Sequence, residues 1–238
     1  MKTDVVYHVS CMNHWPEVVK EQLQCLWNQR HLINRFDIYV LGGNHNDMLW
    51  LRQQVKTFFP FQATVHMHKA MLCMCEAPTI KALQQLAENR SGPTSVLYLH
   101  TKGVAHPGSL YRTLWRWHMN HFLVRQLPTA IKLAHNNKWI AASARNVNDP
   151  MPHAAGNYFL VRYDHLRRLP PFETFRNAFF QRLKIDLPHL ALRHADEMWL
   201  GSTGCHGFGL TPSTDEPWQE RWWMSQPELT RKLMLNHT

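Results

Sequence analysis

Acidic residues are scarce in this chain: 17 Asp and Glu stand against 26 Lys and Arg, a formal charge of +9 before any of the 17 histidines is counted. That shortage suits an anionic partner such as nucleic acid, a membrane surface or a phosphorylated small molecule. Basic residues are spread out, however, with no run longer than two. Nucleic acid is disfavoured, because an arm that binds it normally shows a denser block. Long apolar runs are missing too, and nothing approaches the ~18 residues of a membrane-spanning helix. The opening stretch MKTDVVYHVS is too short and too polar for the apolar region of a secretory leader.

Cysteines are few and odd in number: Cys11, Cys25, Cys73, Cys75 and Cys205. Cys73-Met74-Cys75 lacks the two-residue spacer of a zinc knuckle and has no matching second pair, which disfavours structural zinc. A reducing, cytoplasmic setting with free thiols is the expectation. The patterns GxGxxG, P-loop and HExxH are absent. Rossmann-type cofactor binding, ATP hydrolysis by the P-loop route and zincin-type hydrolysis therefore lose support.

What is present reads as a folded α/β protein. The 238 residues are 45% hydrophobic, enough for a sizeable core. Stretch 4–10 (DVVYHVS) alternates like a strand, and a helix is expected over 16–33, where Val19, Leu23, Leu26 and Trp27 make its stripe. Strand 36–43, helix 46–59, strand 63–68, helix 76–92 and strand 95–100 follow. A long helical stretch, 109–134, is kinked or split by Pro128. Strands are expected at 138–144 and 156–162. This alternation argues for a mainly parallel central sheet flanked by helices. Residues 1–212 form the expected domain, and 213–238, with three tryptophans in six residues, a small C-terminal appendage that packs on it or meets a partner or membrane.

Three constellations carry chemistry. The strand SVLYL ends in His100, Thr101, Lys102 and Gly103. Ligands of open α/β sheets sit beyond the carboxyl ends of strands. There Lys102 can neutralise a phosphate, Thr101 can donate to its oxygen, and Gly103 lets the backbone come close. An ordinary strand end with a solvated lysine is the bland alternative. The segment HAAGNYFLVR places Gly156 and Asn157 before a strand, which is also common turn chemistry. In LRHADEMWLGS the paired acids Asp196 and Glu197 offer a general base beside apolar groups, or a solvated helix start. Cys205 and His206 could add one late metal ligand.

Together EAPTIKAL, LYLHTKGV, WRWHMNHFL, GNYFLVRYDHLRRLP and ADEMWLG resemble, in order, the motifs of a glycosyltransferase-like family with a YLHTKG strand end and a GNFWW segment. The matched blocks run from about residue 76 to 201. The resemblance implies a GT-A-like, Rossmann-like transferase using a nucleoside-diphosphate sugar, UDP-sugar by default. Its acceptor would be a hydroxyl of a glycan or lipid-linked molecule, and a peripheral contact with the inner membrane face would fit such an acceptor. HTKG falls where many such enzymes carry a metal-binding DxD; no aspartate is there, which leaves dependence on Mn2+ or Mg2+ open. The resemblance implies Glu197 as catalytic base with Asp196 in reserve. It assigns Ser10, His100, Thr101, Lys102, Gly103 and Arg193 to the donor diphosphate. His153, Gly156, Asn157 and Trp199 go to the sugar or acceptor pocket, and His100 and His206 are the candidate metal ligands. A basic nucleic-acid-binding protein, a metal-dependent hydrolase and a catalytically silent GT-A-like module are the other readings.

Overall fold

A computed structural model describes residues 1–61, 63–69, 72–90, 94–136, 141–147, 153–183 and 194–203. Strand β1 (Thr3–Ser10) alternates between two apolar surroundings: Val5, Tyr7 and Val9 face one way and Val6 the other. Helix α1 (Trp15–Trp27) has Pro16 in its first turn and buries Val18, Val19, Leu23 and Leu26. Strand β2 (Ile33–Leu41) leads to α2 (His45–Phe58), whose start is closed reciprocally by Asn44 and Asp47. Strand β3 (Ala63–His68), α3 (Ala77–Glu88) and β4 (Ser95–His100) complete the first half.

Helix α4 (Leu110–Met119) passes through a wide π-type segment, Asn120–Arg125, into α5 (Leu127–Ala134). Pro128 stands in the first turn of α5, where its missing N–H loses no bond, so the expected long helix is split. Four short strands follow: β5 (Ala141–Ser143), β6 (Asn146–Val147), β7 (His153–Ala154) and β8 (Phe159–Arg162). Helices α6 (Tyr163–Leu166), α7 (Phe172–Leu183) and α8 (194–198) come last.

The main sheet has six strands in the order β3-β2-β1-β4-β8-β5, and β6 and β7 pair separately. Neighbours among β1 to β4 are parallel, whereas β8 is antiparallel to both β4 and β5. Five strands thus run one way and β8 the other: a mixed, mostly parallel α/β sheet flanked by helices. One face carries α1, α2, α4 and α5; the other carries α3, α6, α7 and Trp199.

Some boundaries differ from the sequence expectation. Helix α1 stops at Trp27, and β2 already begins at fully buried Ile33, which pairs with Thr3. The strand expected at 156–162 starts only at Phe159, because Gly156 and Asn157 have φ of +78° and +54°, two successive left-handed residues that form a turn rather than extended backbone. Residues 138–140, Arg193, Cys205, His206 and the appendage 213–238 lie outside the described residues.

Candidate functional site

The crossovers β1–α1–β2 and β2–α2–β3 lie on one face of the sheet, and α3, which leads to β4, lies on the other. The winding therefore reverses between β1 and β4, and a crevice opens beyond the carboxyl ends of two such strands. Here it is lined by Ser10 from β1, Glu76 before α3, His100, Thr101 and Lys102 from the end of β4, and Arg112 of α4. The positive groups Lys102 and Arg112 and the buried carboxyl of Glu76 line the same crevice.

Hydrogen bonds carry the β1–β4 ladder one residue past the strands. Thr101 N–H donates to the His8 carbonyl at 3.0 Å, and Ser10 N–H donates to Thr101 Oγ1 at 2.9 Å. Lys102 is held from behind. Arg116 Nη1 donates to its carbonyl at 3.0 Å, and Arg116 Nε and Nη2 clasp Glu21 of α1. Trp117 and Asn120 donate to the same Glu21 carboxylate. Gly103 has φ of +90°, which favours glycine, and a Cβ there would come within 3.2 Å of Arg112 Cβ. Its small size admits the approach of α4, and Gly103 itself also lines the crevice.

Behind the crevice lies a buried polar cluster on the α3 side. Tyr98 O–H and Asn157 Nδ2 donate to Glu76 Oε2 at 2.8 and 2.7 Å, and His100 Nδ1 is 3.6 Å from Glu76 Oε1. Burial pushes the Glu76 carboxyl above its usual range, against the pull of His8, Tyr98 and Lys102. His100 Nε2 donates to the Gly156 carbonyl at 2.8 Å. Tyr158 O–H donates to the His100 carbonyl, which Gln22 Nε2 also reaches at 3.0 Å. The Gly156–Asn157–Tyr158 turn and the HTKG strand end are thus one assembly.

The acids of α8 stand differently from each other. Asp196 is buried and paired with Arg176 of α7 at 3.0 Å. Burial pushes its carboxyl well above the ordinary range, with the Arg176 charge opposing. Glu197 is half-buried, outside the lining of the crevice, and its charge adds to the upward push on Glu76. Trp199 is 1% exposed, packs edge-on against Phe172 and donates its indole N–H to the Pro170 carbonyl. It is core, not pocket lining. His153 is buried on β7.

Two polar atoms beside the end of β4, His100 Nε2 and Glu76 Oε2, are already engaged, the first as a donor to a carbonyl and the second as acceptor of two hydrogen bonds. Among the described residues no three His, Cys, Asp or Glu side chains come together as a ligand set.

Glu76 and His8 are the residues that sequence reasoning passed over. Glu76 reads as the start of α3, yet Glu is a poor N-cap and its side chain caps nothing. A Glu directly before an Ala-Pro helix start is the signal that could have found it. His8 and Ser10 are two apart on a strand and so share a face.

The profile of a family described as a domain of unknown function, DUF8361, matches residues 7–230. The chain belongs to this family. No curated protein matches it in sequence. Among solved structures, the DUF8361 chain is similar to a 4-diphosphocytidyl-2C-methyl-D-erythritol synthase, at 12% identity over 98% of each chain and a TM-score of 0.45. It is also similar to a mannosyltransferase from Pyrobaculum calidifontis in complex with GDP-Man and Mn2+. There the identity is 13%, the TM-score 0.47, and the coverage 100% of this chain but 63% of the other. Glucosyl-3-phosphoglycerate synthase from Mycobacterium tuberculosis, with Mn2+, UDP and glucosyl-3-phosphoglycerate, shares 10% identity over 98% and 77% of the chains, with a TM-score of 0.42. Likenesses this distant bear on neither substrate nor reaction.

Proposed function

We propose that this DUF8361 protein is a GT-A-like glycosyltransferase whose crevice holds the diphosphate of a nucleoside-diphosphate sugar, UDP-sugar by default. The observation that carries the reading is the cluster of Lys102 with the Ser10 and Thr101 hydroxyls at adjacent carboxyl ends, where the winding of the sheet reverses. The family-like motif series supports it independently, since HTKG and GNYF, distant in sequence, meet in the His100–Gly156 bond.

In this reading the sugar moves to a hydroxyl of a glycan or lipid-linked acceptor by a single displacement. By the motif resemblance Glu197 is the base that takes the acceptor proton, with Asp196, which is paired with Arg176, in reserve. The acceptor oxygen bonds to the anomeric carbon as the bond to the diphosphate breaks. Lys102, held by Arg116 through its carbonyl, takes up the charge that develops on the leaving phosphate. Arg112 faces the same space.

The test is a thermal-shift series with UDP, GDP, CDP and their sugars, with Mn2+ and with EDTA. A ligand at a hundredfold excess over its Kd stabilises by about 2.7 kcal/mol, a rise of several degrees. The expected result is a rise specific to one nucleotide, lost in Lys102→Ala and kept in Glu197→Gln, with turnover lost in both. No rise with any nucleotide, or an unchanged rise in Lys102→Ala, overturns the reading.

A further inference from the structure

We propose that Thr79 and His8 are positioning residues that fix the Ser10 hydroxyl as a hydrogen-bond donor into the crevice, aimed at an oxygen of a bound phosphate group. The inference deepens the proposed function and rests on it for the identity of the ligand.

The geometry begins with the period of a strand. His8 and Ser10 lie two apart on β1 and share the face on which α3 packs, and α3 brings Thr79 over the imidazole. His8 Nδ1 is 2.7 Å from Thr79 Oγ1, and His8 Nε2 is 2.9 Å from Ser10 Oγ. Thr79 is fully buried and His8 is 1% exposed, whereas Ser10 lines the crevice.

Two proton arrangements fit these distances, and they differ in what they strand. If His8 carried its proton on Nδ1, it would donate to Thr79 Oγ1, and Ser10 would donate to Nε2. The Thr79 proton would then have no acceptor among the described residues, since its hydroxyl meets nothing but His8. A buried donor left without a partner is destabilising. In the other arrangement Thr79 donates to Nδ1, His8 donates from Nε2 to Ser10 Oγ, and no buried proton is stranded. The Ser10 proton then turns away from His8, into the crevice. Burial keeps the imidazole neutral by pushing its pKa down to about 4, so the arrangement holds at neutral pH.

A second hydroxyl is set the same way by a different bond. Thr101 Oγ1 accepts from Ser10 N–H, so its own proton is free to point into the crevice that both residues line. Two hydroxyl protons without an internal acceptor converge beside Lys102. That is the donor pattern an anionic phosphate oxygen requires. It also means that Ser10 is not poised as a nucleophile, because nothing draws its proton off.

The experiment has a part that needs no ligand and a part that needs no nucleotide. Imidazole 15N NMR of the ligand-free wild-type protein reads the His8 tautomer, and the expected result is Nε2–H. Calorimetric titration with sodium pyrophosphate and with UDP then compares wild type with Ser10→Ala, Thr79→Val, the double variant and Thr79→Ser. The expected result is a roughly tenfold weaker Kd in each single variant, no further loss in the double, and wild-type affinity in Thr79→Ser. An Nδ1–H tautomer overturns the proposal, and so does unchanged pyrophosphate affinity in Ser10→Ala and Thr79→Val. If pyrophosphate follows the expected pattern but no nucleotide binds better than pyrophosphate, the proposal stands and the nucleotide-sugar reading fails. If UDP binds tightly but ignores Ser10 and Thr79, the reverse holds.

Discussion

His118 on α4 shows at the residue scale how burial sets a pH limit. Burial pushes its pKa down to about 3, with only partial opposition from its hydrogen bond to the Ala144 carbonyl. In the unfolded chain the same imidazole titrates near 6.5. The unfolded state therefore takes up the proton first on acidification. The stability that this histidine supports is complete above about pH 6.5 and drains away as the pH falls toward 3. Glu76 and Asp196, whose pKa values are raised, act in the opposite sense, so the comparison must be made against a variant. Wild type should lose about 3 kcal/mol relative to His118→Phe between pH 7 and pH 4, measured as urea-unfolding free energy. Parallel curves for the two proteins would mean that His118 is already charged or solvated in the fold.

At the scale of elements, the turn before β8 joins the sheet to α4. A Cβ on Gly156 would sit 2.5 Å from Trp115 Nε1 and 3.0 Å from Met119 Sδ, at a φ of +78°. Gly156→Ala should destabilise by ~2 kcal/mol or more. Because the Gly156 carbonyl accepts from His100, the variant should also weaken nucleotide binding; equilibrium unfolding and titration check the two effects separately. Much of this architecture was legible beforehand. The alternation in DVVYHVS, the proline at the start of α1 and the β-branched ATVHMH act locally, and both strands and the start of α1 lie within a residue or two of expectation, whereas α1 ends six residues early. The hydroxyl and ammonium ending β4 were legible as a set at the carboxyl end of a strand for the same reason, and both line the crevice. The other half of the candidate site was not, because it is made by distant chain. Asn157 meets Glu76 across 81 positions, and His8 meets Thr79 across 71. Trp199 shows the converse: an aromatic beside paired acids looks the same in sequence whether it lines a pocket or fills a core.

For the molecule as a whole, the +9 charge is compatible with a small anion in one crevice or with an extended polyanion, and salt dependence separates the two. A diphosphate in one crevice releases few counterions, so UDP binding should weaken by less than about tenfold between 50 and 200 mM salt. A loss of ~10³ or more would show instead a polyanion held across many basic side chains. The antiparallel insertion of β8 has a consequence for how the protein is made. Synthesis delivers β1 to β4 within the first hundred residues, but β4 gains its second neighbour only when Phe159–Arg162 leaves the ribosome. Until then Val96, Leu97 and Tyr98 lie on an open sheet edge, ready to pair with any other extended chain. Fragments that end before β8 would keep that open edge, and should aggregate more readily than the full chain when the two are compared by light scattering.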